Sequence, residues 1–469
     1  SNKKVEVSMA TMVHKCLPWD CLAFLPWKEE ETKRRIGSRR HSRSAKKINI
    51  EDKAELYFKR HSYNLELLLL MPALRQHFFP TPWLSILSGH FHSVHLALSQ
   101  PVVRVIFRRS IFFFPDGDGC CAMDVAEPNW TAFGSNEAPV PDDSKLPICV
   151  VLHGVTDGSS PATTNANYLH HLAFGICSRG WRCVVMVQRG ALGSPLLTPK
   201  WYSAAETDDL RRVILYVRDS FPNAPLLLAG FSLGANISAC YVGEEGKTCP
   251  LTAAACVSPP YEFSECARFV EMPLRKASYN RQGNFCVWML KWLGTNPTIQ
   301  YAVPPDDVLV HPHLIRCLFH RVMTENLKKE VRRHQAMFEK YVDMEAVFKA
   351  RTVREFDMAF TMPVMQHKKY TETEDYYKDA SCVYKMPMIR TPTLFVSSRD
   401  DPVCSPEAIP FRLCELSDYI MLAVTRFGGH LGWFEGWKAE EQWMVKACIE
   451  FFAAVLELKK RNRVDEWMG

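Results

Sequence analysis

Short apolar runs alternate with amphipathic segments through the middle of this chain. Each run has the length of a buried strand, and the segments that follow the first three have the apolar spacing of helices. Strands and helices in this alternation form a parallel sheet that is covered on both faces. The sequence therefore predicts an α/β fold with a mostly parallel central sheet and helices on both sides. The runs are 148–152, 183–187, 226–229 and 251–257, and the helical segments are 165–177, 204–218 and the stretch from 233.

The alternation stops near residue 258 and resumes with apolar runs at 393–396 and 420–424, followed by a terminal helical segment at 440–459. The number of residues between these runs is far larger than one crossover connection requires, and their sequence pattern is mainly helical. We expect them to form a helical cap inserted into the sheet domain. Upstream, apolar runs at 102–114 and 120–125 flank a turn signal and predict an antiparallel hairpin. The expected parts are a basic disordered arm (1–50), a core in two pieces (78–260 and 391–460) and the cap insert (261–390).

The segment Gly-Phe-Ser-Leu-Gly at 230–234 has the Gly-x-Ser-x-Gly pattern of a nucleophile elbow. It follows an apolar run and precedes a helical segment of small residues. The serine of such an elbow lies on a sharp strand-to-helix turn in a strained conformation, where larger neighbours two positions away would clash. Ser232 is therefore the candidate nucleophile.

A serine nucleophile needs a base, and the base needs an acid that orients it. Behind an elbow of this type the acid comes first along the chain and the histidine second. Asp400 and Asp401 follow one apolar run, and His430 follows the next in a Gly-Gly-His-Leu-Gly loop. The carboxyl ends of parallel strands meet at one sheet edge, so we expect Ser232, one of these aspartates and His430 to converge.

The tetrahedral intermediate of acyl transfer also needs preorganised N–H donors for its oxyanion. One donor follows from the elbow and is the backbone N–H of Leu233. The other is expected from the loop after an earlier strand, where the segment His153-Gly154-Val155 lies. The backbone N–H of Val155 is our candidate, and His153 is expected to brace the loop rather than to react.

Taken together, these motifs resemble the α/β-hydrolase superfamily. The resemblance is strongest to the branch of abhydrolase-domain lipases and esterases that contains the animal abhydrolase-domain proteins one to three and the yeast medium-chain ethyl ester synthases. It covers about residues 78–460. The segments that carry it are Pro80-Thr81-Pro82-Trp83 with Gly89-His90, His153-Gly154, Gln188-Arg189-Gly190, 230–234, Ser258-Pro259-Pro260-Tyr261, 351–357, Asp401-Pro402 and 428–432.

The resemblance implies Ser232 as nucleophile, His430 as base and Asp401 as acid, with Asp400 as the alternative acid. Members of this branch cleave carboxylic esters of glycerolipids, phospholipids or small acyl esters, and some transfer the acyl group to an alcohol. The implied substrate is a lipid or another medium- or long-chain acyl ester. No cofactor and no metal is expected. Animal relatives have an N-terminal membrane anchor, and no apolar stretch of this sequence has the length of one. The chain begins with Ser-Asn rather than Met, which leaves open whether an upstream signal or anchor was removed.

The charge distribution and the cysteines indicate which classes of partner and which cellular compartment to expect. The stretch 33–47 has eight Lys and Arg residues and no acid. These eight positive charges exceed the whole chain's net charge of +6, so the rest of the chain is slightly acidic. A nucleic-acid-binding body would distribute its basic residues over a folded face, so no nucleic-acid partner is expected. The arm or the cap is a candidate for peripheral contact with a membrane. The 17 cysteines are odd in number and several lie in apolar runs, which favours a reducing intracellular compartment.

Several alternatives to a lipid esterase remain open at this stage. Phe285, Trp288, Met289 and Trp292 form an apolar stripe with helical spacing in the cap, which suits an acyl channel, a membrane contact or simple packing on the core. An acyltransferase would use the same three side chains with an alcohol as the second substrate. A catalytically inactive lipid-binding module and a metal hydrolase built on His311-Pro312-His313 are weaker alternatives, because His-x-His without further ligands is a poor zinc signal.

Overall fold

The computed structural model describes residues 52–78, 80–85, 90–98, 103, 105–128, 145–155, 167–271, 312–365, 368 and 370–461, and nine strands in these ranges form one sheet. The strand order across the sheet is β1-β9-β8-β7-β6-β4-β5-β3-β2. The strands are β1 (Glu55–Tyr57), β2 (Arg108–Phe113), β3 (Cys120–Ala126), β4 (Ile148–Leu152), β5 (Arg182–Val187), β6 (Leu226–Phe231), β7 (Ala253–Val257), β8 (Thr393–Ser398) and β9 (Ile420–Thr425).

The six strands at the centre of the sheet, β4 to β9, are all parallel, and the edges are antiparallel. Strands β2 and β3 form the predicted hairpin, with Phe113 opposite Cys120 beside the turn. A mostly parallel sheet is therefore confirmed. The topology places the carboxyl ends of β4, β6, β8 and β9 at one edge, where open α/β sheets bind their ligands.

Helices cover both faces of this sheet. The helices of the described residues are α1 (Ser62–Leu69), α2 (Pro72–Arg75), α3 (Pro82–Ser85), α4 (His90–Leu98), α5 (Asn167–Ser178), α6 (Asp208–Ser220), α7 (Leu233–Glu245), α8 (Phe263–Glu271), α9 (Pro312–Arg333), α10 (Gln335–Phe338), α11 (Met344–Lys349), α12 (Val353–Phe356), α13 (Met362–Val364), α14 (Thr373–Ala380), α15 (Phe411–Leu416) and α16 (Trp443–Lys460). A π-helical turn, Asp357–Thr361, joins α12 to α13, and a two-strand ribbon pairs β10 (Phe434–Glu435) with β11 (Glu441–Gln442).

Alternate residues of each central strand divide between two buried clusters. In β4, Cys149 and Val151 face a cluster that contains α5 and α16, whereas Ile148, Val150 and Leu152 face a cluster that contains α6 and α7. All five residues are buried, as expected for a strand covered on both sides. The continuous apolar runs of the sequence therefore reflect two cores, one on each face of the sheet.

Two features of the core differ from the sequence-based expectation. The helix expected from residue 204 begins only at Asp208, because Ser203 and Ala204 line a cavity and Asp209 forms an ion pair with the buried Arg189. Strand β1 was not foreseen. It has three residues and depends on its antiparallel partner β9, so no local periodicity indicates it.

The described part of the insert between β7 and β8 is mainly helical, from α8 to α14. The apolar stripe at 285–292 and the pair His311 and His313 lie outside the residues whose side chains are described, as does the basic arm. Among the described residues, no helix has both the length and the apolar character that crossing a bilayer requires.

Candidate active site

Ser232 lies between the end of β6 and the start of α7, with φ 53° and ψ −118°. This is a left-handed conformation that non-glycine residues rarely adopt, and it turns the chain sharply enough to project the side chain from the sheet edge. The flanking glycines permit the turn. A Cβ on Gly230 would lie 2.4 Å from the carbonyl oxygen of Gly234, and a Cβ on Gly234 would lie 2.5 Å from the carbonyl oxygen of His153.

The three side chains proposed from chain order and strand ends are in direct contact. The Oγ atom of Ser232 lies 2.8 Å from Nε2 of His430. The other ring nitrogen, Nδ1, lies 2.9 Å from Oδ2 and 3.1 Å from Oδ1 of Asp401. The hydroxyl, the imidazole and the carboxylate thus form one continuous hydrogen-bonded chain across the carboxyl ends of β6, β9 and β8.

Asp401 is fixed in this position by its own turn. Its Oδ1 accepts hydrogen bonds of 2.8 Å from the backbone N–H groups of Val403 and Cys404, and the side chain is only 3% exposed. The second oxygen, Oδ2, is left to face the imidazole. A carboxylate anchored on one oxygen presents the other with a defined orientation, which is what an orienting acid requires.

Asp400, the alternative acid, has a different partner. Its Oδ1 accepts the N–H of Gly429 at 2.8 Å, and its Oδ2 is buried without a hydrogen bond among the described residues. Burial raises the pKa of this carboxyl to about 7. Asp400 therefore braces the loop that contains His430 and does not bond the ring.

The His430 loop is held from two further directions that sequence reasoning missed. The backbone N–H of His430 donates to Oγ of Ser93 in α4 at 2.7 Å, and the hydroxyl of Ser398 donates to the carbonyl of Gly429 at 2.8 Å. A Cβ on Gly432 would lie 2.5 Å from Cβ of His92, so α4 packs tightly on this loop. The only sequence signal was that two nearby segments, 80–83 and 89–90, are among those that carry the family resemblance.

The two candidate oxyanion donors, Val155 and Leu233, lie close to Ser232 in the fold. Leu233 is the first residue of α7, and Val155 follows β4, the sheet neighbour of β6. Both residues line the same cavity as Ser232. The Val155 loop is braced as expected, because Nδ1 of His153 donates to the carbonyl of Gly154 at 2.6 Å and the N–H of Gly154 donates to the Tyr168 hydroxyl at 3.1 Å.

A cavity of about 410 Å³ opens from Ser232 between the sheet edge and the insert. Most of its lining is apolar, and the insert supplies much of it, including Ala267, Leu327 and Phe356. His320 also lines it, and burial together with the nearby His430 lowers the pKa of His320 to about 4, so this ring is neutral. Two exposed guanidinium groups on the lining, those of Arg321 and Arg351, have no carboxylate partner among the described residues.

An open parallel sheet with a strained serine, a histidine and an aspartate at its carboxyl edge defines an α/β hydrolase, and the model of the alpha/beta hydrolase fold family matches residues 147–275. The chain is 30% identical over 387 residues to the human protein named Phospholipase ABHD3, which covers 82% of this chain and 81% of that protein. It is 29% identical to the mouse protein of the same name, with 87% and 86% covered. A Saccharomyces cerevisiae protein named Monoacylglycerol lipase is 28% identical, with 66% and 61% covered.

The chain belongs to the α/β-hydrolase family, in the branch of abhydrolase-domain lipases and esterases. The fold class and the family resemblance expected from the motifs are both confirmed. Fold and relatives together make the chain a hydrolase of carboxylic esters.

Proposed function

We propose that this protein cleaves lipid acyl esters with a Ser232-His430-Asp401 triad by way of an acyl-enzyme. The proposal depends on one observation, the unbroken contact of 2.8 Å from Oγ to Nε2 and of 2.9 Å from Nδ1 to Oδ2. A base within hydrogen-bond reach of its nucleophile, itself oriented by a third group, is the arrangement that activates a serine at neutral pH.

The first half of the reaction forms the acyl-enzyme. Nε2 of His430 takes the Ser232 proton as Oγ attacks the ester carbonyl, and Asp401 keeps the remaining proton on Nδ1. The negative charge of the tetrahedral intermediate is stabilised by the backbone N–H groups of Leu233 and Val155. His430 then gives its Nε2 proton to the leaving alcohol. In the second half, the same residues activate water, and the acid product and free Ser232 are released.

A lipid-like acyl chain is the substrate that the cavity favours. The lining is mostly apolar and extends from Ser232 into the insert, so an acyl chain bound there would leave water and gain hydrophobic free energy. The relatives named as a phospholipase and a monoacylglycerol lipase support the same class. We also propose that the chain consists of a basic arm (1–50), a hydrolase core in two pieces (78–260 and 391–460) and a cap (261–390). The cap or the basic arm is the proposed site of membrane contact.

The nucleophile is tested by replacing Ser232 with Ala. We expect kcat on a medium-chain ester to fall by about 10⁴–10⁶-fold, because other triads lose this much with their nucleophile. A fluorophosphonate probe should label the wild-type protein on Ser232, as mapped by mass spectrometry. Ser264→Ala, in α8, is the matched control and should retain both labelling and turnover. Wild-type turnover in the Ser232→Ala protein would disprove the assignment.

The acyltransferase alternative shares every step up to the acyl-enzyme. Product analysis with and without added alcohol separates the two, since a transferase converts the acyl group to a new ester while water is in excess. The inactive lipid-binding alternative predicts that the folded protein is not labelled by the fluorophosphonate at all.

A further inference from the structure

Cys404 lies beside the imidazole of His430, next to the nitrogen that faces Asp401. Its Sγ atom is 3.9 Å from Nδ1, and the residue is buried with 8% exposure. The carboxylate, the thiol and the imidazole each offer one ligand atom here, and these atoms all lie within 4.8 Å of one another. The mechanism proposed above uses the carboxylate and the imidazole, and it leaves the thiol without a role.

We propose that Asp401, Cys404 and His430 form a binding site for a thiophilic divalent cation such as Zn²⁺, and that its occupation switches the hydrolase off. The inhibition part rests on the proposed function of His430 as base. The binding part does not, because it depends only on the three ligand atoms.

The two separations measured from Nδ1 of His430 are close to those that zinc requires. Tetrahedral zinc with Zn–S near 2.3 Å and Zn–N and Zn–O near 2.1 Å requires its ligand atoms to be about 3.4–3.6 Å apart. The observed separations are 2.9 Å from Nδ1 to Oδ2 of Asp401 and 3.9 Å from Nδ1 to Sγ of Cys404. The first is about 0.5 Å shorter than the ideal separation and the second about 0.3 Å longer, and small side-chain rotations would supply both shifts.

The surroundings also suit a bound cation. Oδ1 of Asp401 already accepts two backbone N–H groups, so the carboxylate is fixed while Oδ2 remains for the metal. Such secondary hydrogen bonds orient metal ligands and strengthen binding. A second thiol, that of Cys266, lines the same cavity as Cys404. The fourth position is therefore open to Cys266 or to water from the cavity.

Metal binding would disable His430 through its tautomer. A neutral imidazole that gives its Nδ1 electron pair to a cation has its one proton on Nε2. That Nε2–H then donates to Oγ of Ser232 and cannot accept the serine proton. On metal binding, the imidazole proton moves from Nδ1 to Nε2, and the thiol of Cys404 releases its proton to solvent. Hydrolysis should stop although Ser232 is unchanged.

Cobalt provides the direct test, because a cysteine thiolate bound to Co²⁺ gives a charge-transfer absorption in the near ultraviolet. We expect the reduced protein to bind one Co²⁺ with this band, and Zn²⁺ to displace it and to abolish ester hydrolysis. Mg²⁺ and Ca²⁺ should do neither, because they prefer oxygen ligands. Ser232→Ala should retain the band, which separates failure of metal binding from failure of the proposed function.

Cys404→Ser is the decisive variant, and Cys249→Ser is its matched control on a half-buried cysteine that does not line the cavity. Cys404→Ser should lose the cobalt band, and zinc inhibition, measured against the variant's own metal-free rate, should weaken by at least about tenfold. Cys249→Ser should behave like wild type. Should Cys404→Ser not fold, protection of Cys404 from alkylation by Zn²⁺ in the wild type replaces it. A wild type without the cobalt band, or full zinc inhibition of Cys404→Ser, would overturn the proposal.

Discussion

Asp400 and Asp401 are adjacent in sequence, but their carboxylates have different neighbours. Asp401 faces Nδ1 of His430, and Asp400 accepts the N–H of Gly429. We therefore predict that Asp401→Asn lowers kcat by about 10⁴-fold, because an amide stabilises the wrong imidazole tautomer. Asp400→Asn, the paired control, should cost less than about tenfold, since its pKa of about 7 makes the acid half neutral already. Equal losses in the two variants would contradict the assignment of Asp401.

Asp357 should make stability depend on pH. Its carboxylate accepts the hydroxyls of Thr361 and Tyr377, and burial raises its pKa from 3.8 to about 7. Between about pH 4 and 7 the unfolded chain has lost this proton and the folded protein retains it, so the free energy of unfolding falls as pH rises. Asp357→Asn cannot ionise, and its denaturation midpoint should fall less than that of wild type between about pH 5 and 7.5. Parallel pH profiles would refute this role.

At the residue scale, strand ends were sufficient to nominate Ser232, His430 and the pair Asp400 and Asp401, and only the family resemblance favoured Asp401 over Asp400. It could not indicate Ser93 or Ser398, whose hydroxyls hold the His430 loop. Serine is common in every part of a chain, and these contacts join residues that are far apart in sequence. Only the packing of α4 on the loop brings Ser93 within reach.

At the scale of elements, α7 approaches β4 so closely that no side chain fits between them at Gly234. A Cβ on Gly234 would lie 2.5 Å from the carbonyl oxygen of His153 and 2.6 Å from that of Leu152. Both are backbone atoms and cannot move aside. Gly234→Val should therefore lower the free energy of unfolding by about 3 kcal/mol or more, as measured by urea denaturation.

The control for this substitution is Gly117→Asn in the β2–β3 turn. Gly117 has φ +74°, which asparagine tolerates, and a Cβ there would meet no atom within 4 Å. Its midpoint should stay close to that of wild type. If both variants lost a comparable free energy of unfolding, the cause would be the replacement of glycine itself rather than contact between α7 and β4.

The long central elements could be predicted because burial on both faces gives a continuous apolar run, as in β4 and β6. The start of α6 could not, because residues 203–207 have helical composition, but Ser203 and Ala204 line the cavity and Thr207 is the residue that precedes the helix. The π-helical turn at Asp357–Thr361 has no sequence signature either. Tertiary contacts, rather than local preference, decide the conformation of both segments.

At the scale of the whole molecule, the substrate cavity is shared between the sheet edge and the insert. Ala267 of α8 lines it. Ala267→Phe should fill part of the cavity and lower kcat/KM for long-chain nitrophenyl esters about tenfold more than for the acetyl ester, because only the longer chain needs that space. Ala267→Ser, which hardly changes volume, is the control. A uniform loss across chain lengths would show that the acyl chain lies elsewhere.

Strands β7 and β8 lie side by side, with Val257 opposite Val396, although the whole insert separates them along the chain. The polypeptide thus leaves the sheet and returns to it at neighbouring positions. The insert can therefore be lengthened, shortened or replaced without a change in the strands that support the reacting groups. The substrate range of such an enzyme can therefore change during evolution while its catalytic residues keep their positions.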